Sequence, residues 1–155
     1  MRTGLCSECK YSGLDHPCKD DPSILAKAYI DGDAFRATDD GHNHWAWECM
    51  FNAVHLKPEF AMAAILHIYP KIDTPEKAAI FAGGHLENLF YAHGATAIDQ
   101  CEVEAEISEK FAYLLSGVWP PLDEDDDVND DHWVRLRALQ AKGPHMDRSD
   151  PLPES

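Results

Sequence analysis

Four side chains near the start of the chain could together hold a metal: Cys6, Cys9, His16 and Cys18. A Cys-x-x-Cys turn presents two thiolates at the separation zinc uses, and a histidine or further cysteine can complete the tetrahedral set. Gly4, Gly13 and Pro17 suit the turns of such a knuckle. The spacing Cys-x2-Cys-x6-His-x-Cys is not a common zinc pattern, so reduced thiols in a loop-rich segment are the competing reading. His42 and His44 are substitute ligands only if the fold brings them near. A redox role is weaker, because no βαβ pattern surrounds the cysteine pair.

A second cluster carries charge rather than ligand geometry. Asp and Glu number 28 against 13 Lys and Arg in 155 residues, a formal net charge of −15. Much of it is concentrated in Asp123, Glu124, Asp125, Asp126, Asp127, Asp130 and Asp131. A field of that sign repels nucleic acid and anionic membranes, and it speeds encounter with basic protein surfaces. Asp125, Asp127 and Asn129 imitate the opening of a calcium-binding EF-hand loop. Asp130, however, stands where that loop needs glycine, and Leu136 stands where it needs a bidentate glutamate. An EF-hand is therefore rejected. What remains is a solvated loop or a docking surface for a basic partner, with Glu102, Glu104, Glu106 and Glu109 extending the anionic face.

Gly83, Gly84, Glu87, Asn88 and His93 form a third group. Glu87 and His93 are six positions apart, which is not the i, i+4 spacing of a two-ligand helix face. The bland reading has both satisfying orphan backbone groups at helix ends. The functional reading is a groove beside the two glycines, where missing side chains admit a partner closely. The chain has no phosphate-binding loop, Rossmann glycine pattern, His-Glu-x-x-His or Gly-x-Ser-x-Gly. Cys101 falls on an apolar stripe, and a buried thiol is a poor nucleophile. Basic patches interleaved with aromatics are missing, which argues against direct nucleic-acid binding.

The elements that must position these groups read as helices. Asp21-Pro22-Ser23 starts one, with Ile24, Leu25, Ala28 and Tyr29 at helical spacing and Gly32 closing it. After Asn43, Trp47, Met50, Phe51 and Val54 fall at i, i+3, i+4, i+7 as one stripe to be buried. Of Trp45 and Trp47, one should be core and the other near the surface. Pro58 begins a helix that is apolar on two faces and should be central, ended by Pro70. Thr74 and Pro75 form a capped start. Gly83-Gly84 interrupts, and Gly94 is a natural stop. A helix from Thr96 carries Ile98, Cys101 and Ala105, and a further stripe of Phe111, Leu114, Leu115 and Val118 ends at Trp119-Pro120-Pro121. Trp133, Leu136 and Gln140 mark a short last helix.

The segment from about Trp45 to Trp119 carries a recognisable phrase. It runs Ala82-Gly83-Gly84-His85-Leu86-Glu87-Asn88-Leu89-Phe90, then His93-Gly94, Ile98-Asp99, Glu104-Ala105-Glu106 and Gly117-Val118-Trp119. This resembles a family of small bacterial helical domains of unknown function. The family tends to proline at the position of His85 and to aspartate at that of Asn88. The resemblance implies an all-helical fold and implies no activity.

No strand pattern survives, and short connections favour antiparallel helical hairpins in an all-α fold. The length suits one domain, organised as a Cys/His-containing segment 1–20, a helical domain 21–142 and a flexible tail 143–155. No stretch approaches a membrane span, and no apolar leader is visible, so the cytoplasm is the expected address. The expected function is non-catalytic: an acidic helical protein that inhibits a basic partner, as immunity proteins and phage inhibitors do. The alternatives are a zinc-binding adaptor and an enzyme with an unrecognised site near Glu87 and His93.

Overall fold

The structure, a computed structural model, describes residues 21–36, 44–147 and 151–154. The expected zinc ligands Cys6, Cys9, His16 and Cys18 lie outside the described residues, as does His42. The fold is all-α. Seven α-helices occur among the described residues: α1 Pro22–Asp31, α2 His44–Leu56, α3 Pro58–Ile68, α4 Pro75–Phe81, α5 Glu87–Ile107, α6 Glu109–Leu115 and α7 Asp131–Lys142. No described helix is long and apolar enough to cross a membrane. The chain divides into two compact units, with the boundary between Ile72 and Asp73.

In the first unit, Asp21 caps α1 by accepting the Ser23 amide at 2.8 Å, and Pro22 takes the first helical turn, where its missing N–H costs nothing. α3 packs against both α1 and α2, as a helix apolar on two sides must. The buried stripe of α2 is displaced from the expected one. Ala46, Cys49, Met50, Ala53 and Val54 are fully buried, whereas Trp47 is half-buried and Phe51 is exposed. Those two aromatics stack on each other, ring centroids 5.5 Å apart, at the edge of the stripe. Neither Trp45 nor Trp47 is core, since both are half-buried. Smaller side chains fill this interior because they suit close packing of helices better than the indoles do.

In the second unit, Thr74 caps α4 through the Lys77 amide at 3.1 Å, and Ser108 caps α6 through the Phe111 amide at 3.2 Å. Gly83-Gly84 does not break the chain. Ala82–Leu86 forms a π-turn that carries α4 directly into α5. A π-turn absorbs an extra residue inside a helix and often marks functional positions. Beside Gly94 the helix does break, as two helical stretches joined across a kink make up Glu87–Ile107. α5 runs on to Ile107 and bends at His93, whose backbone (φ −147°, ψ 40°) leaves the helical region. Gly94 also admits α7, because the His132 ring occupies the space a side chain would need. Phe81, Leu86, Phe90, Phe111, Leu114, Trp133 and Leu136 form the buried core of this unit.

Candidate functional site

A groove of about 520 Å³ opens in the second unit, lined by Ala79, Gly83, Glu87, Ser116, Gly117, Trp119 and Met146. Its floor follows from the π-turn. Gly83 is exposed there, and a Cβ built on it would meet nothing within 4 Å, so this glycine opens space rather than allowing tight packing. Glu87, at the start of α5, accepts the Trp119 amide at 2.7 Å through Oε1. That bond holds the chain leaving α6 against α5. The opposite wall is tied as well: Ser116 Oγ donates to the Tyr113 carbonyl at 2.6 Å and accepts the Met146 amide at 2.8 Å. The Tyr113 hydroxyl donates to the Asp147 carbonyl at 3.2 Å. Residues 146 and 147, expected in a flexible tail, are therefore anchored at the groove.

Trp119 stands at the groove with 77 % of its surface exposed, and Leu122 beyond it with 65 %. Two prolines after Trp119 prevent a helix that could draw these side chains inward. Tyr91, itself 53 % exposed, donates to the Trp119 carbonyl at 2.9 Å and packs on Trp133 at a ring-centroid distance of 4.8 Å. Its hydroxyl titrates above the ordinary tyrosine value, chiefly from desolvation and then from the charges of Glu87, Asp125 and Asp127. The groove carboxylate and the acidic loop thus act on one electrostatic neighbourhood.

The acidic run is more ordered than a plain loop. Asp126–Asn129 forms a 3-10 turn and Asp131 already belongs to α7. Val128, the apolar residue of the run, is buried and pins the turn. Asp125 accepts the Leu122 amide at 3.0 Å through Oδ2. Asp123, Glu124, Asp125, Asp127 and Asp130 are exposed, and no basic side chain pairs with them among the described residues. Of Asp126 only the backbone is described.

The other expected contacts divide. Glu102 and Asp131 pair with Arg135, which also binds Asp99 at 2.5 Å, and the Asp131 carboxylate stays exposed. The Arg135 bond holds the Glu102 carboxyl below its usual range, and the three carboxylates raise the guanidinium further, keeping it charged. Three anions around one cation still leave a negative excess. Glu106 and Glu109 line a separate depression of about 310 Å³ with Lys142, and Glu104 is half-buried. Of the candidate groove residues, Gly83 and Glu87 share the cavity. Asn88 and His93 are half-buried elsewhere on α5, and Gly84 is half-buried in the π-turn. Sequence reasoning missed Trp119, Leu122, Tyr91 and Met146 as site residues. Its available signal was the Trp-Pro-Pro triplet, which marks a tryptophan that no helix can bury. No group of three or more metal-ligating side chains occurs among the described residues.

Comparison with known protein families gives a match over most of the chain. The model of DUF6869, described as a family of unknown function, covers residues 35–143. No curated protein matches the chain, and no solved structure does.

Proposed function

The chain belongs to the DUF6869 family, whose function is unassigned, and we propose that it is a non-catalytic binding protein that engages and blocks a basic protein partner. Toxins of nuclease type and other nucleic-acid-handling effectors are the partner class that fits, since carboxylates can occupy a surface built for phosphates. The cytoplasm, where such effectors act, is the corresponding address. One observation carries the reading: exposed Trp119 and Leu122 stand directly beside exposed carboxylates of Asp123, Glu124, Asp125 and Asp127 that have no basic side chain paired to them among the described residues. Large apolar side chains at a surface are anchors for association, tryptophan above all. Unpaired surface charges of one sign supply steering. The combination of anchor and field distinguishes this face from a merely solvated loop.

The test is association kinetics with a basic protein recovered from native lysate at low salt. Replacing Asp123, Asp125 and Asp127 with asparagine should slow association by roughly tenfold or more and flatten its salt dependence. Trp119→Ala should act mainly on dissociation, because anchors determine residence. On-rates that ignore the triple replacement would remove the reading.

A further inference from the structure

We propose that the groove bounded by Gly83, Glu87, Gly117, Trp119 and Met146 is a receptor for an arginine side chain, which rests on the basic-partner reading above and specifies its contact. Among the described residues, Glu87 is the charged side chain of the lining, and no described cationic side chain lines it. Ser116 is already committed, its hydroxyl both donating to Tyr113 and accepting from Met146. The polar side-chain capacity left to a ligand is chiefly acceptor capacity on the Glu87 carboxylate, which offers about four lone-pair sites, beside the single donor of the Trp119 indole. One of these lone-pair sites takes the Trp119 amide. The others remain for donors, so the groove selects a cation rich in N–H groups and repels an anion.

The rest of the lining selects among cations. Trp119 presents an exposed indole and Met146 a thioether at the same cavity. A guanidinium is planar, more weakly hydrated than an ammonium, stacks on aromatic faces and meets a carboxylate with a two-pronged fork. A compact ammonium is attracted to an indole as a point charge, but it offers neither a planar stacking face nor the fork. The cavity, about 520 Å³ in extent, exceeds by far the roughly 30 Å³ of a water molecule and accommodates an extended side chain. Electrostatics reinforce the choice, since Glu87, Asp125 and Asp127 all bear on the adjoining Tyr91 hydroxyl. The backbone bonds that shape the groove are already made in the free protein, so little ordering is needed when the ligand enters.

The experiment is a proton–nitrogen NMR titration of the full chain with acetyl-arginine-amide, acetyl-lysine-amide and acetyl-citrulline-amide. Arginine should shift the Trp119 indole N–H and the Gly83 and Gly117 amides, with lysine at least several-fold weaker. Citrulline, which keeps the shape but not the charge, should shift them less than a tenth as far. Glu87→Gln should weaken arginine binding by about tenfold, the order of one charge-assisted contact. Its amide oxygen still accepts the Trp119 N–H, so an unchanged melting temperature will show that the groove survives. Absence of arginine shifts at Trp119, equal responses to lysine or citrulline, or indifference to Glu87→Gln would each overturn the proposal. The Asp123, Asp125, Asp127 triple replacement separates the two readings. A silent groove with partner on-rates still sensitive to that replacement sinks the receptor alone. Arginine seated in the groove with insensitive on-rates sinks the docking role of the acidic face alone.

Discussion

Replacing Gly94 with alanine places a methyl group where His132 already sits. A Cβ built at Gly94 lies 2.6 Å from Nε2 and 2.8 Å from Cγ of that ring, whereas comfortable carbon contacts fall near 3.5–4.0 Å. Because Cγ is among the close atoms, tilting the ring does not relieve the overlap. Either χ1 of His132 changes, removing the ring from Trp133 at 5.1 Å between centroids, or α7 shifts on α5. Overpacking of this kind costs about 1–3 kcal/mol. The intrinsic gain from Gly to Ala inside a helix offsets about 1 kcal/mol of that. The net expectation is a loss of about 1 kcal/mol, or roughly 2–4 °C in Tm for a chain of this length. In a His132→Ala background the obstacle is gone, and the same replacement should stabilise by up to about 1 kcal/mol. Urea and thermal unfolding of the four proteins complete a double-mutant cycle. A Gly94→Ala effect of the same sign in both backgrounds would refute the close-approach explanation.

Cys101 is fully buried and its thiol is pushed up to about 12 by desolvation and then by Glu102 and Glu104. Alkylation at pH 8 followed by mass mapping should leave it unlabelled in the native chain and labelled after unfolding. The unfolded thiol ionises near 9.0 while the folded one does not until about 12. Stability from this group is therefore complete below pH 9 and falls as pH rises between those values, by at most about 1.4 kcal/mol per pH unit. Cys101→Ala should flatten that alkaline loss in urea titrations. Gln140 donates from Nε2 to the carbonyls of Leu115 and Val118, both at 2.8 Å. Gln140→Leu should cost about 1–3 kcal/mol in unfolding free energy, since it removes the donor from two carbonyls at the end of α6.

Much of the helical layout was legible in the residues. Asp21 and Thr74, each followed by proline, cap helices as their types require, and the stripe Phe111, Leu114, Leu115 and Val118 is buried throughout. Gly83-Gly84 is a local helix breaker by propensity, yet the chain stays helical through it as a π-turn, whereas beside Gly94 the helix breaks at His93 as the residue types suggest. Propensity counts for about 1 kcal/mol per glycine, and burial of Phe81, Leu86, Leu89 and Phe90 on either side of Gly83-Gly84 outweighs it. In α2 the largest apolar residues, Trp47 and Phe51, drew the stripe one position away from the small residues actually enclosed. Of the candidate site, Gly83, Glu87 and the acidic run were readable. The groove itself was not, because its walls come from α4, α5, the end of α6 and the segment after α7.

By itself the sequence determined the all-α class, most helix starts, and an anionic character that no folding can alter, since charge is a property of composition. Tertiary structure decided which carboxylates remain available. Glu102 is drawn to Arg135, while Asp123, Glu124, Asp125 and Asp127 stay exposed beside Trp119 and Leu122. That division depends on distances between helices far apart in the chain. Pairing with Arg135 requires α7 to lie along α5, and only packing around Gly94, Phe90 and Trp133 brings it there.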